Sequence, residues 1–236
     1  DGEDENMLKA AIAFKNSKLG TPILVGKEEL IKNQIKKIGY NENFDIEIVN
    51  SKDTVKRERY VKYLFKKLQR EKGMLEWDCD RLVRNDRVIW ASCMVASGDA
   101  DAMVTGNIRH YAASIEKLKK VVDSRPGEEI FGMTMINAKA KTILVADTNV
   151  QDFPSADRLV KVSKSCVRVA RLFGFEPKVA FLSHSTFGKP VSKNTKHVRD
   201  AIELLRKEKV DFDFDGEMQP DVALNPIYKE IYPFSK

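Results

Sequence analysis

Two stretches decide the fold of this chain: Phe181-Leu-Ser-His-Ser-Thr-Phe-Gly-Lys-Pro190 and Asp215-Gly-Glu-Met-Gln-Pro-Asp-Val-Ala-Leu224. In the first, an apolar run typical of a buried strand is followed by hydroxyl side chains and a glycine. In the second, a strand is followed by acidic side chains and a glycine. Ligands of open α/β sheets bind at the carboxyl ends of strands, so we expect these two polar ends to line one cleft.

Strand and helix patterns alternate along the whole chain, which is typical of an α/β fold. The glycines and N-capping residues that separate these patterns predict where each element begins and ends. The predicted strands are 22–25, 45–49, 102–106, 178–182 and 210–214, and the predicted helices are 7–15, 28–38, 53–71, 86–96, 111–122, one from Ser155 to about Gly174, and 194–207.

A β-hairpin is predicted near the middle of the chain, where the β-rich runs 130–136 and 142–146 are joined by a short polar segment. Hairpin strands are antiparallel, so the sheets are expected to be mixed rather than purely parallel. The breaker sequence Arg125-Pro-Gly127 precedes the hairpin. We therefore predict two α/β lobes, 1–127 and 128–236.

Composition favours a cytoplasmic protein and excludes several classes. The 236 residues are 42% hydrophobic and 32% charged, with no apolar run of membrane-spanning length and no signal-peptide pattern. The net charge of +6 comes from lysine-rich helix faces, without the spacing of a nucleic-acid-binding motif. Cys79, Cys93 and Cys166 are isolated and are expected to be packing residues, and no metal site is predicted.

Strict nucleotide-binding and hydrolase motifs are absent from the sequence. It contains no G-x-x-x-x-G-K-[ST], no G-x-G-x-x-G after a strand, and no G-x-S-x-G. Four polar strand ends remain, and each one alone is more typical of a helix cap than of a site. Together they favour a ligand site, and they are Thr105-Gly106, Asp147-Thr148-Asn149, 183–188 and 215–221.

Three of these segments give the chain a family resemblance. Ser97-Gly-Asp-Ala-Asp-Ala-Met-Val-Thr-Gly106, the stretch 181–190 and the stretch 215–221 resemble, in order and spacing, the phosphate acetyl/butyryltransferase (phosphotransacetylase) family. Each segment is weak evidence alone, but three in order are specific. The resemblance runs from about Met7 to the last residue.

The resemblance is closer to one branch, the phosphotransacetylase-like C-terminal domain of large bacterial NADP-dependent malic enzymes. It rests on Val145-Ala-Asp-Thr-Asn-Val150, Asp221-Val-Ala-Leu-Asn-Pro226 and Tyr232-Pro-Phe-Ser235. It implies that the chain is a fragment, with the malic-enzyme catalytic domains preceding it in the same parent chain. NADP and a divalent metal would bind only to that preceding part, and the last segment of the family domain would follow Lys236.

The fold that the resemblance implies is isocitrate-dehydrogenase-like, with two three-layer αβα lobes around an interlobe cleft. The ligand would be acetyl-CoA, CoA or acetyl phosphate, and the protein would form homo-oligomers. No residue of this chain is assigned a catalytic or metal-binding role. The expected substrate-binding residues are Thr105, Gly106, Ser183, Ser185, Thr186, Gly188, Asp215, Glu217 and Asp221.

One departure from the family pattern affects the expected activity. Active phosphotransacetylases carry an Arg-Pro pair in the helix after the Thr-Gly turn, whereas this chain reads Ser114-Ile-Glu-Lys-Leu118. A lysine does not reproduce the bidentate contact of arginine with phosphate. The leading hypothesis is therefore an acetyl-CoA-sensing regulatory and oligomerisation domain of a malic enzyme, which decarboxylates malate oxidatively to pyruvate. The alternatives are an active phosphate acetyltransferase and a pure assembly module.

Overall fold

The computed structural model of the protein describes residues 1–40, 45–138, 141–148, 150, 153–190 and 192–236. Within them the chain forms two compact units, Asp1–Asp123 and Ser124–Lys236. Helices and short strands alternate in both units, which confirms the predicted α/β class. None of the helices in the described part of the chain combines the length and the hydrophobicity that a membrane crossing needs.

The first unit consists mainly of helices packed around two apolar clusters. The larger cluster lies mostly on the helices that follow β2 and includes Tyr60, Leu64, Ile89 and Trp90. The smaller cluster joins α1, β1 and α2 through Leu8, Leu24, Ile31 and Ile35. Strands β1 and β2 pair in parallel. The elements are α1 Glu5–Asn16, β1 Ile23–Val25, α2 Glu28–Lys37, β2 Glu47–Val49, α3 Thr54–Lys72, α4 Glu76–Asn85, α5 Arg87–Ala96 and α6 Tyr111–Val121.

Local sequence sets the ends of these helices. The Asp53 carboxylate caps α3 by accepting a hydrogen bond from the Lys56 N–H, and Asp86 caps α5 in the same way. Gly73 ends α3 with a φ of 61°, a left-handed conformation that favours glycine. The predicted helices 53–71 and 86–96 are confirmed for this reason, because capping is a local property of the chain.

The second unit has an antiparallel hairpin and a separate parallel pair of strands. The buried faces of α7 and α8 pack with Phe181 and Phe212 in its main core, and Ser155 caps α7 as predicted. The elements are β3 Met133–Ala138, β4 Lys141–Ala146, α7 Ala156–Leu172, β5 Lys178–Leu182, a 3₁₀ turn Lys193–Thr195, α8 Lys196–Glu208, β6 Asp213–Met218, α9 Pro220–Leu224 and α10 Tyr228–Ile231.

The prediction of mixed sheets was wrong for the described residues. The hairpin β3–β4 forms its own two-stranded antiparallel sheet, whereas β1–β2 and β5–β6 are two-stranded and parallel. Every residue of β3 after Met133 is exposed. The hairpin therefore lacks the buried face that would place it within a larger sheet.

Two further predictions in the first unit need correction. Residues 102–106 form no strand, and the Val104 side chain is 78% exposed, so this apolar run does not enter a buried sheet. Helix α4 was not predicted, although its N-terminal Glu76 and Asp78 are typical of a first helical turn. Its buried positions, Cys79 and Val83, complete the core beside α3.

The last strand is displaced from its predicted position. The prediction was 210–214, but β6 runs from Asp213 to Met218, so Asp215 and Glu217 lie within the strand rather than after it. Backbone pairing decides this, because Asp215 is the ladder partner of Ala180 and Gly216 that of Phe181. Polar composition suggested a loop, but the ladder with β5 continues through it.

Candidate functional site

The segment that follows β5 is a tight loop held by backbone hydrogen bonds to β6. The Ser183 N–H donates to the Met218 carbonyl at 2.9 Å, and the Phe187 N–H donates to the Glu217 carbonyl at 2.7 Å. Gly188 has a φ of 85°, in the region that favours glycine. We call residues 183–189 the hydroxyl loop.

Glu217 is the buried centre around which the hydroxyl loop is arranged. The residue is 1% exposed. Its Oε1 accepts hydrogen bonds from the Ser185 hydroxyl at 2.7 Å, from the Gly188 N–H at 3.2 Å and from Arg199 Nη1 at 3.0 Å. A buried carboxylate is stable when it is paired and hydrogen-bonded, and these donors supply both conditions at Oε1, whereas Oε2 is buried without a partner among the described residues.

Arg199, which sequence reasoning missed, joins α8 to this centre. Its guanidinium also donates to the Thr195 hydroxyl at 3.2 Å and to the Ser192 carbonyl at 3.3 Å. A signal was present in the sequence, because Arg199 follows the buried Val198 and precedes the buried Ala201 on an amphipathic helix. This signal is weak, because it leads to an acidic partner only if the guanidinium is drawn toward the interior, where charged groups are usually paired.

Gly216 allows the two strands to approach each other closely beneath the hydroxyl loop. A Cβ at this position would lie 2.7 Å from the Phe181 carbonyl oxygen, closer than side chains tolerate. The glycine of the predicted acidic motif therefore serves strand packing in this structure. It brings β6 close enough for the neighbouring Glu217 to reach the hydroxyl loop.

The environment of Glu217 favours its ionised form. Burial by itself raises the pKa of Glu217, but the hydrogen bond from Ser185, the Thr195 hydroxyl and the Arg199 guanidinium together bring this pKa below its ordinary value of 4.5. The carboxylate therefore contributes stability that is present above pH 4.5 and is lost as the pH falls through its folded-state pKa.

This shift predicts a pH dependence of stability for the second unit. We expect the difference in unfolding free energy between the wild type and Glu217→Gln to be largest at neutral pH and to shrink as the pH falls below 4.5. Urea unfolding from pH 7 to pH 3 measures it. Glu203→Gln, which removes an exposed carboxylate from α8, is the control. A wild-type advantage that stays constant with pH would contradict the assignment.

The expected site residues of the hydroxyl loop differ in accessibility. Ser185 is fully buried and Thr186 is 8% exposed. Thr186 Oγ1 accepts the Gln219 N–H at 3.3 Å, while Ser185 donates to Glu217. Ser183 and Gly188 are half-buried. The buried hydroxyls therefore shape the loop, and the half-buried residues are the ones that a ligand can reach.

The two aspartates of the acidic motif make other contacts. Asp215 Oδ2 accepts the Lys236 N–H at 2.8 Å, and Asp221, on α9, accepts the Tyr228 hydroxyl at 3.0 Å. Within the described residues, neither side chain hydrogen-bonds to the centre around Glu217. The structure thus brings together Ser183, Ser185, Gly188 and Glu217 directly, with Thr186 beside them through Gln219.

Thr105 and Gly106 lie in the first unit, on a segment anchored by side chains. The Tyr60 hydroxyl and the Arg59 guanidinium both donate to the Asp99 carboxylate. The buried Ser92 hydroxyl contacts the Met103 sulfur at 3.6 Å. These contacts hold residues 99–103 on α3 and α5, so the segment keeps a defined path without being a strand.

Gly106 contacts the acidic start of the chain. Its N–H donates to Asp1 Oδ2 at 3.3 Å, and Arg109 Nε donates to Asp1 Oδ1 at 2.9 Å. The Asp1 side chain is fully buried, and that of Arg109 is 28% exposed. Sequence reasoning missed Arg109, since it lies before α6 rather than in the helix. Two donors therefore converge on one carboxylate at the predicted Thr-Gly turn.

The remaining polar strand end, after β4, is engaged in internal packing. Asp147 accepts the Gly132 N–H at 2.8 Å and pairs with Arg158 on α7 at 3.3 Å. Arg158 also donates to Glu129 at 2.6 Å. Asn149, the last residue of this predicted strand end, lies outside the described residues. These contacts join the hairpin to α7.

Comparison with known proteins relates this arrangement to one family. A family model described as Phosphate acetyl/butaryl transferase matches residues 1–236. The chain is 39% identical to an NADP-dependent malic enzyme of Rhizobium meliloti strain 1021, over 100% of this chain and 31% of that relative. It is 30% identical to a phosphate acetyltransferase of Clostridium acetobutylicum, over 95% of this chain and 69% of that relative.

A solved structure supports the same relation. The crystal structure of a phosphotransacetylase from Streptococcus pyogenes matches with a TM-score of 0.82 at 27% identity, over 98% of this chain and 70% of that one. The chain spans about a third of the length of the malic enzyme that it resembles.

Proposed function

From the membership of this chain in the phosphate acetyl/butaryl transferase family, we propose that it is a regulatory and oligomerisation domain that senses acetyl-CoA. The chain matches the phosphotransacetylase-like domain of NADP-dependent malic enzymes. The parent protein would oxidise and decarboxylate malate with NADP in the cytoplasm. Those catalytic domains would be its partners within the same chain. The proposal includes the isocitrate-dehydrogenase-like fold, with lobes 1–127 and 128–236.

The observation that carries the proposal is the organised hydroxyl loop. Its buried polar groups are held by Glu217 and Arg199, and its half-buried Ser183 and Gly188 stay accessible. A loop fixed in this way offers the Ser183 hydroxyl to a phosphate or acyl oxygen without reorganising first, and Gly188 leaves room for that oxygen beside the backbone. The proposed ligand-contacting residues are therefore Ser183 and Gly188 in the second unit. Thr105 and Gly106 are proposed for the first unit by itself.

The residues where the family carries Arg-Pro support binding rather than catalysis. Ser114 is 8% exposed, and its hydroxyl donates to the His110 carbonyl at 3.2 Å. Lys117 pairs with Asp86 at 2.5 Å, and Glu116 pairs with Lys120 at 3.1 Å. The charged groups within 114–118 are thus paired with the protein's own side chains. This favours a sensor over the alternative of an active acetyltransferase.

Allosteric sensing requires a ligand with different affinities for two states of the protein. We expect acetyl-CoA to change malate turnover by the full-length protein that carries this chain, with half-saturation at the concentration where calorimetry shows half-maximal binding. NADPH absorbance follows turnover. Acetyl-CoA formation from CoA and acetyl phosphate, measured in parallel, tests the alternative.

A matched pair of variants connects the response to the hydroxyl loop. Lys189→Ala removes an exposed cation from this loop and should weaken acetyl-CoA binding several-fold. Lys207→Ala removes the same charge near the end of α8, about 12 Å along the helix axis from Arg199, and should not. Confirmed binding with unchanged malate turnover would reject the regulatory role, and an absence of binding would reject the ligand.

A further inference from the structure

The Thr-Gly turn of the first unit holds a carboxylate of the protein itself. The Gly106 N–H and Arg109 Nε donate to the two different oxygens of Asp1, at 3.3 Å and 2.9 Å. Gly106 has a φ of 109°, outside the range that other residues readily adopt. A backbone N–H and a guanidinium that converge on one anion are the elements of an anion-binding site.

The contact of Asp1 is not needed to keep the start of the chain in place, because the other acidic residues there have their own donors. Glu3 accepts the Lys27 N–H at 2.8 Å and pairs with Arg87 at 2.6 Å. Asp4 caps α1 and accepts from the Asn107 side chain at 2.7 Å. The Asp1 carboxylate can therefore leave its donors while the backbone around it stays anchored.

We propose that Gly106 and Arg109 form a phosphate-binding site for which Asp1 is an intramolecular competitor. A phosphate group carries more negative charge than a carboxylate and presents more acceptor oxygens to a guanidinium. Arg109 is partly exposed and Gly106 half-buried, so both donors can be reached once Asp1 moves. Asp1 then sets the ligand concentration at which the site fills.

The proposal assigns Arg109 a role that the sequence pattern did not suggest. The family's Arg-Pro pair is missing from 114–118, whereas Arg109 supplies a guanidinium beside the same Thr-Gly turn. The identity of the physiological ligand, a phosphate of acetyl-CoA or of acetyl phosphate, rests on the proposed function. The competition itself does not, because inorganic phosphate can test it.

The experiment measures inorganic phosphate binding to the full-length protein by equilibrium dialysis. Asp1→Ala removes the competitor and is expected to tighten binding about tenfold, the usual value of one charge-assisted contact. The double variant Asp1→Ala with Arg109→Ala should lose that gain. Arg81→Ala, which removes an exposed arginine of the same unit, should leave phosphate binding unchanged.

Two results would overturn the proposal: phosphate binding no tighter in Asp1→Ala than in the wild type, or a gain that survives removal of Arg109. If Asp1→Ala unfolds, Asp1→Asn replaces it, because asparagine keeps the shape of the side chain and removes its charge. The proposal then predicts tighter phosphate binding in Asp1→Asn than in the wild type. A purely structural Asp1 predicts weaker binding in Asp1→Asn. The acetyl-CoA response of the wild type is measured separately, so a failed sensor and a failed competition give different results.

Discussion

Replacing Glu217 by alanine is expected to lower the unfolding free energy of the second unit by about 3 kcal/mol, the lower end of the cost of removing one partner from a buried ion pair. Three donors lose their acceptor in this variant: the Ser185 hydroxyl, the Gly188 N–H and the Arg199 guanidinium. Arg199 is about one-third exposed and can regain water, which limits the cost. Urea denaturation followed by circular dichroism measures the change.

The same variant should loosen the hydroxyl loop specifically. Hydrogen exchange of a peptide covering 183–190 is expected to accelerate, because the Gly188 N–H loses its acceptor and the loop loses its buried centre. Glu203→Ala, an exposed change on α8, is the matched control and should stay within about 0.5 kcal/mol of the wild type. Unchanged stability and exchange in Glu217→Ala would show that backbone hydrogen bonds alone hold the loop.

Replacing Trp90 by alanine is expected to cost the first unit about 4 kcal/mol, since the deletion of a large buried side chain leaves a cavity. Trp90 is 1% exposed and packs edge-on against Tyr60, with ring centroids 5.1 Å apart. It lies on α5, which also carries the Ser92 that contacts Met103. The loss should therefore reach the segment that bears Thr105 and Gly106.

Trp90→Phe separates ring packing from the polar atom of the indole. The Trp90 indole N–H is buried and has no hydrogen-bond partner among the described residues, so removing it forfeits no bond. We expect this variant to lose less than half as much stability as Trp90→Ala in urea denaturation. An equal loss in both variants would mean that only a ring as large as indole fills this site, and that an aromatic ring of smaller size contributes no stability there.

Local features of the sequence predicted much of the fold. Asp53, Asp86 and Ser155 cap helices by accepting hydrogen bonds from N–H groups within three residues. Gly73 ends α3 through its own backbone conformation. Such features act over one helical turn, so they can be read from the chain directly. The apolar run within 178–182 predicted β5 in the same manner.

Non-local contacts explain the predictions that failed. The ladder with β5 extends β6 through polar residues, and its register depends on a strand more than thirty positions earlier. The segment 99–103, which leads into the Thr-Gly turn, is fixed by Tyr60 and Ser92 on the helices α3 and α5. No local pattern contains these partners, because each contact closes a long loop of chain.

The sequence by itself determined the α/β class, the helix ends and the polar motifs in which the candidate residues lie. The tertiary structure decided the roles of those residues. It buried Ser185 and Glu217 as the support of the hydroxyl loop, left Ser183 and Gly188 half-buried, and placed Arg199 beside the carboxylate and Arg109 beside Asp1. Burial and charge pairing arise only when distant segments meet, so composition and spacing could not reveal them.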